Sequence, residues 1–332
     1  ELNLRFMTST KSFHEIESKS DFEDACHNLL FHHYKLNQTY RSYCDLINRP
    51  PFSISSINEI PFLPISFFKK HQVKIFNSKP KIIFRSSGTT SHNRSQHFLE
   101  NEKTYQKSFF DCFELFYGDI RDYNILALLP GYYERNDSSL IYMVKELIKK
   151  SKSAKSGFYL TNFDELNKNL LELDYKKEKT ILIGVSFALI DFIEKYKLNL
   201  NNTTIIETGG MKGKRKEITR EELHNFLCDG FGVSLIHSEY GMTEILSQAY
   251  SKGNGLFECP PWMKILVRQI EDPLSLSKIT DTGALNIIDL ANFGSCPFIA
   301  SDDVGKIHSS GKFEVLGRID NSEIRGCNTI YF

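Results

Sequence analysis

The sequence predicts an α/β fold: mainly parallel sheets flanked by helices, followed by a smaller β-rich subdomain. Three observations predict it. Strand-sized apolar runs alternate with amphipathic stretches through most of the chain, the pattern of strands joined by crossover helices. The texture changes after Gly230, where β-like runs punctuated by Gly283, Gly294, Gly305 and Gly311 replace that alternation. The 332 residues are 41% hydrophobic and 13% aromatic, enough for a large core and for two units at roughly 150 residues each. The expected division is 1–230, a doubly wound α/β part, and 231–332, a β-rich part that completes the site.

Residues 11–50 read as helical, because Phe13, Ile16, Phe22, Cys26, Leu29 and Leu30 recur at spacings near three and four. Arg49-Pro50-Pro51 stops them, since proline removes a backbone donor and holds its predecessor extended. Val73–Phe76 and Lys81–Phe84 read as strands, the second leading into Arg85-Ser86-Ser87-Gly88-Thr89-Thr90. From 101 to 117, Tyr105, Phe109, Cys112, Phe113 and Phe116 share one helical face. Strand Ile125–Leu129, helix Ser138–Lys150, short strand Gly157–Leu160 and helix Asp164–Leu173 follow. Next come strand Thr180–Val185, helix Phe187–Lys195 and strand Thr203–Glu207. Thr219-Arg220-Glu221-Glu222 has the form of a capping box and starts a helix. Beyond it, Leu266–Ile270, Ala284–Asp289 and Ile307–Leu316 read as antiparallel strands. Sheets of the parallel kind place ligands at the carboxyl ends of their strands.

Lys+Arg 41 against Asp+Glu 41 leaves no net charge, so no global field favours nucleic acid or an anionic membrane. The seven cysteines are odd in number and none form C-x-x-C, which fits reduced thiols in a cytoplasmic protein better than disulfides or zinc. No apolar run approaches the roughly 18 residues of a membrane span, and the first residues carry no signal-peptide pattern. Any bound anion must therefore be held locally.

Four segments could do so. Ser86-Ser87-Gly88-Thr89-Thr90-Ser91, followed by Arg94, could curl its N–H and O–H groups around a polyphosphate. His237-Ser238-Glu239-Tyr240-Gly241-Met242-Thr243-Glu244 offers an acidic oxygen ligand for Mg²⁺ and an aromatic ring for a base. Ser301-Asp302-Asp303 offers a carboxylate for ribose hydroxyls, and Gly317-Arg318-Ile319-Asp320 an arginine for ribose or phosphate. Each alone fits an ordinary turn as well. His27, His32 and His33 lack carboxylates at ligand spacing, and Lys212, Lys214, Arg215 and Lys216 fit a solvated loop. His237 fits packing as well as a role beside a carboxylate substrate.

The order S-S-G-T-T, Glu207-Thr208-Gly209-Gly210, Y-G-M-T-E, an aspartate turn and G-R-x-D resembles the adenylate-forming superfamily from Ser86 to Asp320. Within it, Arg94-Ser95-Gln96-His97 and the ending Asn321-Ser322-Glu323-Ile324-Arg325-Gly326-Cys327 are similar to LuxE-type acyl-protein synthetases. The resemblance implies a large adenylate-forming N-terminal domain that binds ATP with Mg²⁺ and activates a fatty or other carboxylic acid as an acyl adenylate. Ser86, Ser87, Gly88, Thr89 and Thr90 would cover the phosphates, and Gly209 and Gly210 would border the adenine, with Tyr240 on the base. Thr243 would contact the α-phosphate, Glu244 would hold the metal, Asp303 would bind the ribose hydroxyls, and Arg318 would reach ribose or phosphate. Only twelve residues follow Asp320, so the C-terminal domain with its catalytic lysine is expected to be lacking, leaving Arg94, another basic residue or a partner to supply the cation. Cys327 would accept the acyl group as a thioester, since a thiolate attacks an activated carbonyl and Arg325 favours its ionised form. An acyl reductase or acyl-carrier protein would be the partner. The rival readings are direct transfer to coenzyme A, a carrier protein or a sugar, and a nucleotide-binding scaffold without chemistry.

Overall fold

The computed structural model describes residues 12–87, 94–130, 135–151, 153–209, 215, 218–278 and 280–319. The chain starts with α1 (Lys19–Leu36) and α2 (Gln38–Leu46), separated by Asn37. Asn37 closes one helix and opens the next: its N–H donates to the His33 carbonyl, and its side chain accepts from the Tyr40 N–H. Its amide also donates 2.8 Å to the Ser295 carbonyl, which ties this corner to the far end of the chain.

A short strand β1 (Leu63–Pro64) and α3 (Phe67–Lys70) lead to the hairpin β2 (Ile82–Arg85) and β3 (Gln96–Leu99). The main body follows as α4 (Lys103–Tyr117), β4 (Asn124–Leu128), α5 (Ser139–Ser151), β5 (Gly157–Phe158) and α6 (Phe163–Tyr175). It continues with β6 (Thr180–Val185), α7 (Ser186–Lys195), β7 (Thr203–Thr208), α8 (Arg220–Phe231) and β8 (His237–Tyr240). Then come β9 (Ala249–Ser251), β10 (Phe257–Glu258), β11 (Met263–Arg268), β12 (Gly283–Asp289), β13 (Phe298–Ile307) and β14 (Phe313–Arg318).

One hydrogen-bonded sheet carries both halves. Its strand order is β11-β12-β13-β14-β10-β9-β8-β7-β6-β4-β5, with β1 parallel to β13 off that path. From β5 to β8 the neighbours are parallel, as the alternation of strands and helices predicts, and from β8 to β11 they are antiparallel. The strand β8 joins the two regimes, pairing parallel to β7 at Ile206↔His237 and antiparallel to β9 at Tyr240↔Ala249. Buried on both faces, the central strands read as unbroken apolar runs, and every residue of β4 and β6 is buried.

Helix α8 starts at the capping box, with Thr219 and Glu222 exchanging side-chain and backbone bonds. It ends at Gly232, whose φ of 66° is left-handed and where a Cβ would lie 2.5 Å from the Leu198 carbonyl oxygen, so only glycine fits. Two expected strands differ. Val73–Phe76 is not a strand: the Ile75 N–H goes to Gly294 and the Val73 carbonyl accepts from Ser295 Oγ, so a loop satisfies this backbone instead of a ladder. Ile307–Leu316 is not one strand but a hairpin, turned at Gly311 (φ 83°) and closed by the His308 N–H to the Lys312 carbonyl. Cys26, Cys44, Cys112, Cys228, Cys259 and Cys296 are free thiols, and no described helix is long and apolar enough to cross a membrane.

Candidate functional site

At the carboxyl ends of β7 and β8 lies a cavity of about 830 Å³. Parallel strands end here and the chain crosses to helices on either side, which leaves a crevice lined by turn residues. Ser86 and Ser87 reach it from the end of β2, Thr208 and Gly209 from β7, Tyr240 to Glu244 from β8, and Asp302, Asp303, Gly317 and Arg318 from the β13–β14 hairpin.

Of the residues singled out in the sequence, Ser86, Ser87, Gly209, Tyr240, Thr243, Glu244, Asp303 and Arg318 thus line one cavity. Gly88, Thr89, Thr90, Gly210, Asp320 and Cys327 lie outside the described residues. Gly209 is left-handed at φ 68°, which lets the chain leave β7 abruptly at the cavity rim.

Arg94 does not face the cavity. Its Nε donates 2.6 Å to the Ser86 carbonyl and its Nη2 pairs with Asp137 at 2.9 Å, so it braces the neck of the loop. Ser86 and Ser95 close that neck with two further bonds, Ser86 N–H to the Ser95 carbonyl and Ser95 N–H to Ser86 Oγ. Beside that neck the cavity is lined by Arg85 and Arg135, and both also lie within 4 Å of Asp137. Three guanidinium groups around one carboxylate leave excess positive charge beside Ser86 and Ser87. That charge suits a phosphate group.

The opposite end is set by strand register. Asp303 pairs directly with Arg318 across β13 and β14, and the Tyr240 hydroxyl donates 2.8 Å to Asp303. Burial pushes the Asp303 carboxyl up, while the Tyr240 hydrogen bond and the Arg318 charge pull it back. Phe257 and Phe313 pack edge-on against the Tyr240 ring and fix its plane.

Glu244 is buried, and burial raises its pKa against the opposing hydrogen bond from Ser95. No described cation pairs with it and no group of three metal-ligating side chains occurs among the described residues. Mg²⁺ in nucleotide sites takes one or two carboxylates plus phosphate oxygens and water, so a single buried carboxylate facing a phosphate-sized cavity fits it.

The backbone that aims Thr243 and Glu244 is clamped by residues the motifs did not reveal. His97 of β3 places Nδ1 2.7 Å from the Thr243 carbonyl and Nε2 2.9 Å from Asn292 Oδ1. Asn292 in turn donates to the Glu244 and Cys296 carbonyls, each at 2.8 Å. Both side chains are fully buried. The hairpin that carries the Ser/Thr loop is thereby locked to the Thr243–Glu244 turn, across separations of 146 and 195 residues.

A second unforeseen group sits at the strand ends. Glu207 pairs with Arg220 at 2.6 Å, and although burial opposes ionisation, His224 and Arg220 hold its carboxyl below the usual range. Glu239, next along the sheet, accepts a hydrogen bond from the Thr208 hydroxyl. Burial, reinforced by the Glu207 charge, pushes Glu239 up to about 7. Register pairs Glu207 with Ser238 and Thr208 with Glu239, so the two carboxylates leave neighbouring strands on opposite faces, which the chain's linear order does not show.

Several candidates settle elsewhere. His237 stacks on Tyr117 with centroids 5.8 Å apart and shares a 3.2 Å hydrogen bond with it, off the cavity wall. Arg215 is bound by Asp191 and Glu194, and Lys212, Lys214 and Lys216 lie outside the described residues. Phe109, Phe113, Phe187 and Phe192 belong to the core.

Residues 9–108 match the family model described as "Acyl-protein synthetase, LuxE". A search of curated proteins finds no match. The structure resembles ATP-bound MatB from Rhodopseudomonas palustris at 15% identity and a TM-score of 0.54, covering 73% of this chain and 49% of that one. The chain thus spans about half the length of that relative. An open conformation of 2-hydroxyisobutyryl-CoA ligase, in complex with 2-HIB-AMP and CoA, resembles it at 11% identity and a TM-score of 0.67, covering 91% of this chain and 70% of that one. With its cavity at the strand ends and its mixed sheet, the chain has the fold of the adenylate-forming ligases and carries, over residues 9–108, the match to the LuxE acyl-protein synthetase family.

Proposed function

We propose that the chain is an ATP-dependent ligase that activates a carboxylic acid, a fatty acid in this reading, and passes the acyl group to Cys327. A carboxylate oxygen attacks the α-phosphorus of ATP, the bond to the bridging oxygen breaks, and pyrophosphate leaves with that electron pair. The Cys327 thiolate then attacks the acyl carbon and expels AMP, leaving a thioester for an acyl reductase or carrier partner.

What supports the reading is the gathering of eight residues from five separate segments around one cavity. Ser86 and Ser87, with Arg85 and Arg135 beside them, would bind the β- and γ-phosphates, and Thr243 the α-phosphate. Tyr240 would cover the base, and Asp303 with Arg318 would take the ribose hydroxyls. Glu244 would hold Mg²⁺, which when bound withdraws charge from the phosphates. Leu140, Met143 and Leu223 give the remaining wall an apolar surface for the acid's carbon skeleton.

The test has two parts. Carboxylate-dependent exchange of labelled pyrophosphate into ATP reads the first step. Retained exchange with loss of a hydroxylamine-labile acyl label in Cys327→Ser reads the second, and retention of that label in the variant would refute Cys327 as acceptor.

A further inference from the structure

Gln248 lies just before β9 on the cavity wall and is only 3% exposed. Its amide nitrogen donates to the Leu246 carbonyl at 3.4 Å, which orients the group. Its Oε1 is buried and has no hydrogen-bond partner. Native structures seldom leave a buried acceptor bare, so this atom calls for a donor.

Glu239 supplies a second acceptor at the same spot. One of its oxygens takes the Thr208 hydroxyl. The other lies against Gly241: a Cβ there would sit 2.4 Å from Glu239 Oε1 and 3.6 Å from Gln248 Cγ, so both side chains flank this glycine. Gly241 is itself a wall residue, two positions before Thr243, which the proposed function sets against the α-phosphate that the carboxylate attacks. The Tyr105 hydroxyl, also near, is already donated to the Ser139 carbonyl. Gln248 Oε1 and, in its ionised form, Glu239 Oε1 are therefore two acceptors on side chains that flank Gly241 at the cavity.

We infer that Glu239 and Gln248 form a hydrogen-bond-accepting subsite, so that the preferred acid carries a hydroxyl or amino substituent near its carboxyl group. This inference rests on the activating function proposed above and narrows its substrate. An unsubstituted chain would leave Gln248 Oε1 as bare in the complex as it is without ligand. A donor on the acid satisfies it, and sites that bind a substrate O–H or N–H discriminate strongly against analogues that lack it.

The test compares matched acids at two lengths: butanoate, 2- and 3-hydroxybutanoate and 3-aminobutanoate, and decanoate with 3-hydroxydecanoate. In the pyrophosphate assay, at least one substituted acid of a set is expected to exceed its parent by roughly ten- to hundredfold in kcat/KM. The hydroxy and amino arms tell the two donors apart. Gln248→Leu is expected to erase the preference while leaving the parent acid's rate within about twofold, a split that general damage to the fold would not give. Calorimetric titration of the same acids into the wild-type protein reads the subsite without chemistry. Selective binding of substituted acids with no exchange would overturn the activating function and keep the subsite. Equal or weaker use and binding of every substituted acid would overturn the subsite.

Discussion

Replacing Glu239 by glutamine is expected to stabilise the protein in alkali and leave it nearly unchanged in acid. The carboxyl group sits in the cavity wall beside Glu207, and its pKa is pushed from 4.5 up to about 7 by burial first and by that neighbour's charge second. A group whose folded pKa is raised contributes fully below its unfolded pKa and loses that contribution as pH rises through the folded value. The window is therefore about pH 4.5 to 7. A shift of this size amounts to roughly 3 kcal/mol at about 1.4 kcal/mol per unit. Glutamine mimics the protonated form and can still accept from the Thr208 hydroxyl, so it escapes the penalty of ionisation. Urea unfolding of wild type and Glu239→Gln at pH 4.5 and pH 8 measures the difference. The variant is expected to be more stable by roughly 3 kcal/mol at pH 8 and equal within about 0.5 kcal/mol at pH 4.5. The same offset at both pH values would refute the raised pKa of Glu239.

Other predictions follow from the same contacts. His97→Phe keeps the ring that packs edge-on against Phe68 but removes the imidazole, which burial keeps neutral, so that its one N–H serves one of the two acceptors it touches, the Thr243 carbonyl or Asn292 Oδ1. With one buried acceptor left bare, the loss is expected to be roughly 1–3 kcal/mol by urea unfolding, with pyrophosphate exchange falling further than the folded fraction. Ser18→Ala removes the capping box of α1, whose N-terminus does not line the cavity, and is expected to cost about 1 kcal/mol without changing exchange measured well below the melting temperature. A loss of exchange in that variant would contradict the separation of the cap from the site.

The parts of the fold most visible in the chain were those whose environment acts on every residue. The strands β4 and β6 are buried on both faces, so their apolar runs stand out without any partner being known. The start of α8 was visible because a capping box is a local interaction over three residues. Ile307–Leu316 misled because its apolar ends belong to two strands, and only the turn at Gly311 separates them. Val73–Phe76 has strand-like composition, but its backbone partners are Gly294 and Ser295, more than two hundred residues away.

The site divides in the same way. Residues on turns at the cavity, such as Ser86, Tyr240 and Glu244, carry a short motif, and the resemblance of their order to a known superfamily groups them. His97 and Asn292 act only through backbone carbonyls elsewhere, and a single histidine or asparagine leaves no motif. Arg94 shows the converse: its position beside the loop suggested a phosphate contact, whereas Asp137 and the Ser86 carbonyl hold it at the neck. The bare oxygen of Gln248 is a property of the packed interior alone.

The most direct measurement is the exchange of labelled pyrophosphate into ATP with and without carboxylic acids, in the wild-type protein and in Glu244→Gln. The account predicts exchange that requires both an acid and Mg²⁺ and that drops at least about a hundredfold in the variant, since one placed charge in a dry site is worth roughly 3 kcal/mol or more. Absence of exchange with every acid, or undiminished exchange without Glu244, would contradict it.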